Sequence, residues 1–245
     1  MDQEDPETSE TALARLDAIR AKRGYLLPHH GLMAISAPDM LTAYDAAYTA
    51  LTLTPRRLNA HDKEFVWLAI LIATDEALAT HHIAKFRDAA GTDQEVEGAV
   101  RIAALGYGAR AFDFVGDHWQ DHLPGFDARR LRQEARKASL AGLNLSDRLV
   151  LMAEAATAAC LAHWRDLAWT IEDAYGASVN ELDLAEALSL TMFPGSVPRF
   201  VDACGVWRAV ILAGKVNASP LFKSWAELTG QGGYDEASGK GGDAS

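Results

Sequence analysis

Alanine- and leucine-rich runs with helical spacing, punctuated by isolated Gly and Pro, fill most of this chain. β-Branched runs are scarce, and the 8 Pro lie mostly outside the periodic segments. Ala and Leu are strong helix formers, so the pattern predicts an all-α protein. With 245 residues, 49% of them hydrophobic, the chain is long enough to bury a substantial core.

The punctuation places the segments. ETALARLDAIRAKR (10–23) has helical spacing, and GYLLPHHG (24–31) then breaks it with Gly24, Pro28 and Gly31. Helices are expected over 38–53 and 60–74, and over 75–90 with Thr74 or Asp75 as cap and Gly91 as stop. Two more are expected, DQEVEGAVRIAAL (93–105) and ARAFDFVGDHWQDH (109–122), before a break at LPGFD (123–127). The acidic start MDQEDPETSE reads as a frayed lead-in, and the Gly-rich end TGQGGYDEASGKGGDAS as a disordered tail.

After LPGFD the pattern begins again. At an offset of 85, LNAHDKEFVWLAILIAT (58–74) shares Leu, Asn and Asp with LNLSDRLVLMAEAATAA (143–159), and Gly91 falls on Gly176. At an offset of 88, Phe112 falls on Phe200 and Trp119 on Trp207, with glycine turns expected at Gly108 and Gly195 just upstream. An ordered series of this kind reads as an internal duplication. The expected divisions are an N-terminal helix and loop (1–37), a first repeat (38–127), a degenerate second repeat (128–228) and the tail (229–245).

Composition narrows the function. A formal net charge of −11 without a basic cluster argues against nucleic-acid binding. No apolar run reaches 18 residues and the N-terminus has no signal-peptide pattern, so the expectation is a soluble, cytoplasmic protein with no membrane partner. Cys160 and Cys204, the only cysteines, are too few and too far apart for a disulfide framework, a zinc knuckle or a CxxC motif.

The stretch KEFVWLAILIATDEALATHHIAKFRDAAGTDQEVEGAVRIAALGYG (63–108) resembles the carboxymuconolactone decarboxylase and alkylhydroperoxidase D-like family. An apolar helix opening with a carboxylate, a short break, a His-bearing helix, a glycine, an acidic helix and a glycine turn follow the family's order. SDRLVLMAEAATAACLAHW, YGASVNELDLAEAL and FPGSVPRFVDA form a weaker second match, so the chain looks like a tandem two-copy member over about residues 40–212. The resemblance implies an alkylhydroperoxidase D-like helical bundle with two repeated units, assembled as a homodimer or homotrimer.

The family's peroxidase branch carries a Glu, then a CxxC pair, then a His. Glu64 matches the Glu. If His82 is the family His, the cysteine positions hold Asp75 and Leu78; counting from Glu64 instead gives Glu76 and Ala79, with Ile83 in the His position. Neither register contains a thiol, and a disulfide cycle cannot run without one. The decarboxylase branch implies a cofactor-free lyase acting on a small carboxylated lactone from aromatic-compound breakdown.

His81 and His82 project about 100° apart on a helix, so they are not expected to share one ion or one site. His82 falls with Leu78, Ile83 and Phe86, His81 with Ala77 and Lys85, which points His82 inward. Histidine suits proton transfer near neutral pH, and a carboxylate in EFVWLAILIA is either an exposed helix start or a buried group needing a partner. The catalytic candidates are therefore His82, His81, Glu64 and Glu76, the last also explicable as a first-turn Glu. Lys85, Arg110 and Arg199 are candidate anchors for a substrate carboxylate, and His30, in a PHHG loop, is a candidate lid residue. His118 and His122 have i, i+4 metal-ligand spacing but no identifiable third ligand, so no metal is assigned.

The second copy has Leu149 opposite Glu64, and Asp166 and Leu167 opposite His81 and His82, so it is expected to be architectural. Its Cys160 and His163 form a C-x-x-H pair at the wrong spacing for the family. Three readings follow: a cofactor-independent decarboxylase or lactone-processing lyase or hydrolase, a non-catalytic scaffold or ligand-binding relative with a decayed site, and a His-ligated metal enzyme.

Overall fold

The computed structural model describes residues 9–238, and among these every regular element is helical. The chain divides into two compact units, split between Thr54 and Pro55. Among the described residues no helix is long and apolar enough to cross a membrane.

The first unit holds α1 (Ser9–Arg23), α2 (Pro28–Ser36) and α3 (Pro38–Tyr48), the last running into a π-helical turn, Thr49–Leu53. Ala12, Ile19, Ala34 and Leu41 form its small core. PHHG is not a loop: Pro28 stands in the first turn of α2, where its missing N–H costs nothing.

The second unit contains α4 (Ala60–Ala73), α5 (His81–Asp88), α6 (Asp93–Phe114), α7 (Ala128–Ser139) and α8 (Asp147–Leu161). It continues with α9 (Trp164–Gly176), α10 (Glu181–Ser189), α11 (Val197–Leu212), α12 (Pro220–Glu227) and α13 (Gly233–Ala237). The short α13 lies within the Gly-rich tail; residues 1–8 and 239–245, also assigned to the lead-in and tail, fall outside the described residues.

The apolar helices α4 and α8 pack together in the centre, with α6 against both. Caps fix their starts: Asn59 accepts from Asp62 N–H at 2.8 Å, Thr92 and Glu95 form a capping box, and Ser146 accepts from Leu149 N–H. The two helices expected over 93–105 and 109–122 are instead one helix, α6, followed by a π-helical turn (Val115–Trp119) and a 3-10 turn (Gln120–His122). Gly108 is therefore no turn but a helical residue. Gly106 in the same helix serves close packing, because a Cβ there would sit 2.7 Å from Thr157 Cγ2 of α8.

The helix expected over 75–90 starts late. Thr74 terminates α4, its Oγ1 donating to Ile70 O at 2.9 Å, and Asp75 takes the left-handed φ of 56°. The connection, residues 74–80, runs seven residues before α5 begins at His81, so the two histidines open a helix instead of standing in its middle.

Candidate active site

Two neighbouring elements bring the site together. Glu64 lies one turn into α4 and His82 in the first turn of α5; their side chains meet at 2.6 Å, Glu64 Oε2 to His82 Nδ1. Both residues are buried, at 4% and 2% exposure. A carboxylate so placed needs a partner, and the imidazole supplies one. Trp67 lies three residues beyond Glu64, hence on the same side of α4, and stacks on the His82 ring at 4.7 Å. Sequence reading overlooked Trp67, although its i, i+3 spacing from Glu64 was the available signal.

The first turn of α4 is held from several sides. Arg57 N–H and Leu58 N–H donate to Glu186 Oε2 of α10 at 2.7 and 2.8 Å. Arg148 of α8 bridges Asp62 and Asp183, and His61 stands between Asp62 at 3.2 Å and Glu95 of α6 at 3.0 Å. Three helices thus fix the segment that carries Glu64.

The other candidates are distributed differently. The half-buried His81 packs its ring against His82, with centroids 4.2 Å apart. The two rings, expected to point apart and not to share one site, are thus in contact. Of the residues grouped with His82, only Phe86 is buried; Leu78 is 61% and Ile83 47% exposed. Exposed Glu76 shapes the turn by accepting from Leu78 N–H at 3.2 Å. Lys85 is half-buried on α5, and Arg110 is exposed on α6. Arg199 is occupied, donating to Cys160 O at the end of α8. His30 belongs to the first unit, where it is fully buried: Nδ1 accepts from Leu27 N–H at 3.0 Å and Nε2 lies 3.1 Å from Arg23 Nη1. It braces the start of α2 and is no lid.

Burial, followed by the neighbouring His29 and Arg23, lowers the His30 pKa from 6.5 to about 4. The unfolded chain then binds a proton between pH 6.5 and 4 that the folded unit refuses, so stability present above pH 6.5 is lost as pH falls towards 4. Hydrogen-exchange protection factors of residues 9–54 are expected to drop across that window, and to drop less in His30→Gln.

A cavity of about 410 Å³ lies beside the pair. Leu68, Leu71 and Ile72 of α4, Ile83 of α5 and Val96 of α6 wall it, and its polar lining is Asp75, Glu76 and Thr80. Glu64 is one turn from Leu68, and His82 adjoins Ile83. Neither Glu64 nor His82 is itself part of the wall, and none of the three candidate anchors lines it.

A second polar cluster joins α6, α7, α8 and α9. Arg132 Nε lies 2.6 Å from Asp166 Oδ1 and its Nη1 3.1 Å from Glu154 Oε2, with all three residues at most 3% exposed. Burial, then the carboxylates of Asp166 and Asp117, raises Asp113 from 3.8 to about 7. The folded protein therefore keeps a proton that the unfolded chain releases, and this contribution fades as pH rises through 7. Asp113→Asn is expected to stabilise at pH 8 by about 1–3 kcal/mol and to be neutral below pH 3.8, as read by urea unfolding at both pH values.

Among the described residues no group of three or more His, Cys, Asp or Glu is placed to hold a metal ion. The i, i+4 spacing of His118 and His122 is interrupted by the change from π to 3-10 geometry. The Cys160 thiol is pushed up to about 12 by burial, and burial also raises Cys204.

Residues 38–115 match the model of the carboxymuconolactone decarboxylase family. No curated protein and no solved structure matches the chain.

Proposed function

With residues 38–115 matching the model of the carboxymuconolactone decarboxylase family, we propose that the chain is a cofactor-independent acid–base enzyme acting on a small lactone-type compound. The buried 2.6 Å contact between Glu64 and His82 carries this reading. With Nδ1–H donated to the Glu64 carboxylate, the imidazole is fixed in orientation and tautomer and Nε2 becomes the proton-transfer atom. If the reaction is decarboxylation, the bond to the carboxylate breaks, CO₂ leaves, and the electron pair left on carbon takes a proton from Nε2 of the doubly protonated ring, which returns to the neutral form with its remaining proton on Nδ1. Trp67 holds the ring flat against one face and helps exclude water. His81 packs against the same ring and is the second candidate for proton relay.

Thiol peroxidase chemistry is not part of the proposal. Neither cysteine lies on α4 or α5, and a thiol with its pKa near 12 supplies little thiolate. A homodimer or homotrimer is retained, supported by large apolar side chains standing in solvent, among them Ile35, at 69% exposure, and Leu221, at 66%. The second repeat stays an architectural proposal: α8 and α9 follow the order of α4 and α5, yet bury the Arg132–Glu154–Asp166 ion cluster instead of a Glu–His pair.

One observation favours a non-catalytic relative: the pair does not line the neighbouring cavity. Turnover of carboxymuconolactone by the wild-type chain and by His82→Gln separates the readings. Loss of turnover in a folded variant supports the enzyme; a wild-type rate equal to the uncatalysed one favours the ligand-binding relative.

A further inference from the structure

The cavity beside the Glu64–His82 pair has a chemical bias opposite to the one a carboxylated substrate requires. Its walls are aliphatic, from Leu68, Leu71, Ile72, Ile83 and Val96, and its charged lining residues are Asp75 and Glu76. No Lys, Arg or His belongs to the lining. A carboxylate ligand would meet two like charges, on the exposed Asp75 and Glu76, and find no cation in the lining, whereas an ammonium group would meet two opposite charges.

Both acidic side chains are positioned by the turn. Asp75 sits at the left-handed φ of 56°, with Tyr107 Oη 3.4 Å from its Oδ1 and also within reach of Ile72 O and Ala73 O. Glu76 is held by Leu78 N–H. The start of α5 offers little to offset them. His82 N–H donates to Ala79 O at 3.1 Å and Ile83 N–H to Thr80 O at 3.0 Å, so these donors are already spent.

We propose that this cavity binds small aliphatic ammonium compounds, the chain of the ligand against Leu68, Ile72, Ile83 and Val96 and its cationic head between Asp75 and Glu76, and that it turns carboxylates away. As a statement about a ligand this stands on the cavity alone. It becomes a statement about the substrate of the proposed enzyme only through the proton-transfer reading of His82, and binding measurements keep the two apart.

Hexylamine, hexanol and hexanoate share a six-carbon skeleton and serve as probes, the acid having one alkyl carbon fewer, worth roughly four-fold in affinity. Their binding to the full chain at pH 7 is followed by NMR shifts of the Leu, Ile and Val methyls. Hexylamine is expected to bind at least ten-fold tighter than hexanoate, with hexanol between them, and the gap is expected to narrow in 0.5 M NaCl. Asp75→Asn combined with Glu76→Gln should bring amine and acid to within about four-fold, since Asn tolerates the left-handed backbone and Gln can still accept from Leu78 N–H. Ile83→Trp, which fills the cavity, should weaken all three probes. The same order is expected in His82→Gln, whatever its turnover. Hexanoate binding as tightly as hexylamine overturns the proposal, as does the absence of hexylamine binding at tens of millimolar. Because the wild-type order in low and high salt is decisive by itself, misfolding of the double variant would not rescue the idea.

Discussion

Replacing Arg132 by Ala is expected to cost about 3–5 kcal/mol of stability, the largest single loss anticipated in the second unit. Its guanidinium bridges Glu154 of α8 and Asp166 of α9, both nearly sealed from water. Removing the cation leaves two carboxylates in a low-dielectric interior, with only Arg136, 3.3 Å from Glu154, as partial replacement. Burial already raises the Glu154 pKa while Arg132 opposes the rise. The loss should therefore shrink at low pH, where a protonated carboxyl no longer needs a cation. Urea unfolding at pH 7 and pH 4 tests this, and thermal unfolding at pH 7 should show a fall in Tm on the order of 10 °C. Simultaneous replacement, Arg132→Met with Glu154→Gln and Asp166→Asn, should recover most of the stability, because the expense lies in the orphaned charges and not in lost attraction. A triple variant as unstable as Arg132→Ala would show that the cluster contributes through packing alone.

The second large effect concerns the Glu64–His82 pair. His82→Ala should lower turnover of a responsive lactone by about 10²–10⁴-fold, the usual reach of a positioned acid or base. Glu64→Gln should hurt nearly as much, for a different reason. Gln carries no negative charge to stabilise a protonated ring, and its NH2 can donate to an unprotonated Nδ1 as readily as its oxygen accepts from Nδ1–H, so the tautomer is no longer fixed. If Glu64 only oriented the ring sterically, Gln would be an adequate substitute, and near wild-type turnover in that variant would sink the assigned role. Because the pair is buried, both variants must be compared at equal folded fraction, checked by far-UV circular dichroism and urea midpoint.

The all-α class was legible because it rests on period and composition, which tertiary contacts do not alter. The inward placement of His82 was legible from its neighbours on the helix, while a carboxylate in EFVWLAILIA left two alternatives open, an exposed helix start or a buried, paired group, and only the fold selects the second. Other features depend on three dimensions. The late start of α5 follows from a left-handed Asp75, a conformation no spacing rule specifies. Gly108 read as a turn because Gly is poor in helices, but the packing of α6 against α4 and α8 overrides that preference. PHHG read as a loop, although Pro in a first helical turn is a start signal, and His30 was then assigned to a surface it never reaches. Arg132 in LRQEARK has the spacing of a solvated face; only the folding of α8 and α9 over α7 makes it interior.

Gly106 carries a consequence for how this sequence can drift. Thr157, branched at Cβ and fixed within α8, cannot swing aside the way the tip of a long side chain does. A single added methyl on α6 would lever that helix away from α8, and α6 also supplies Val96 to the cavity. The bore of the cavity is thus gauged ten residues away by a hydrogen atom. Enlarging Gly106 therefore requires shrinking Thr157 in the same lineage.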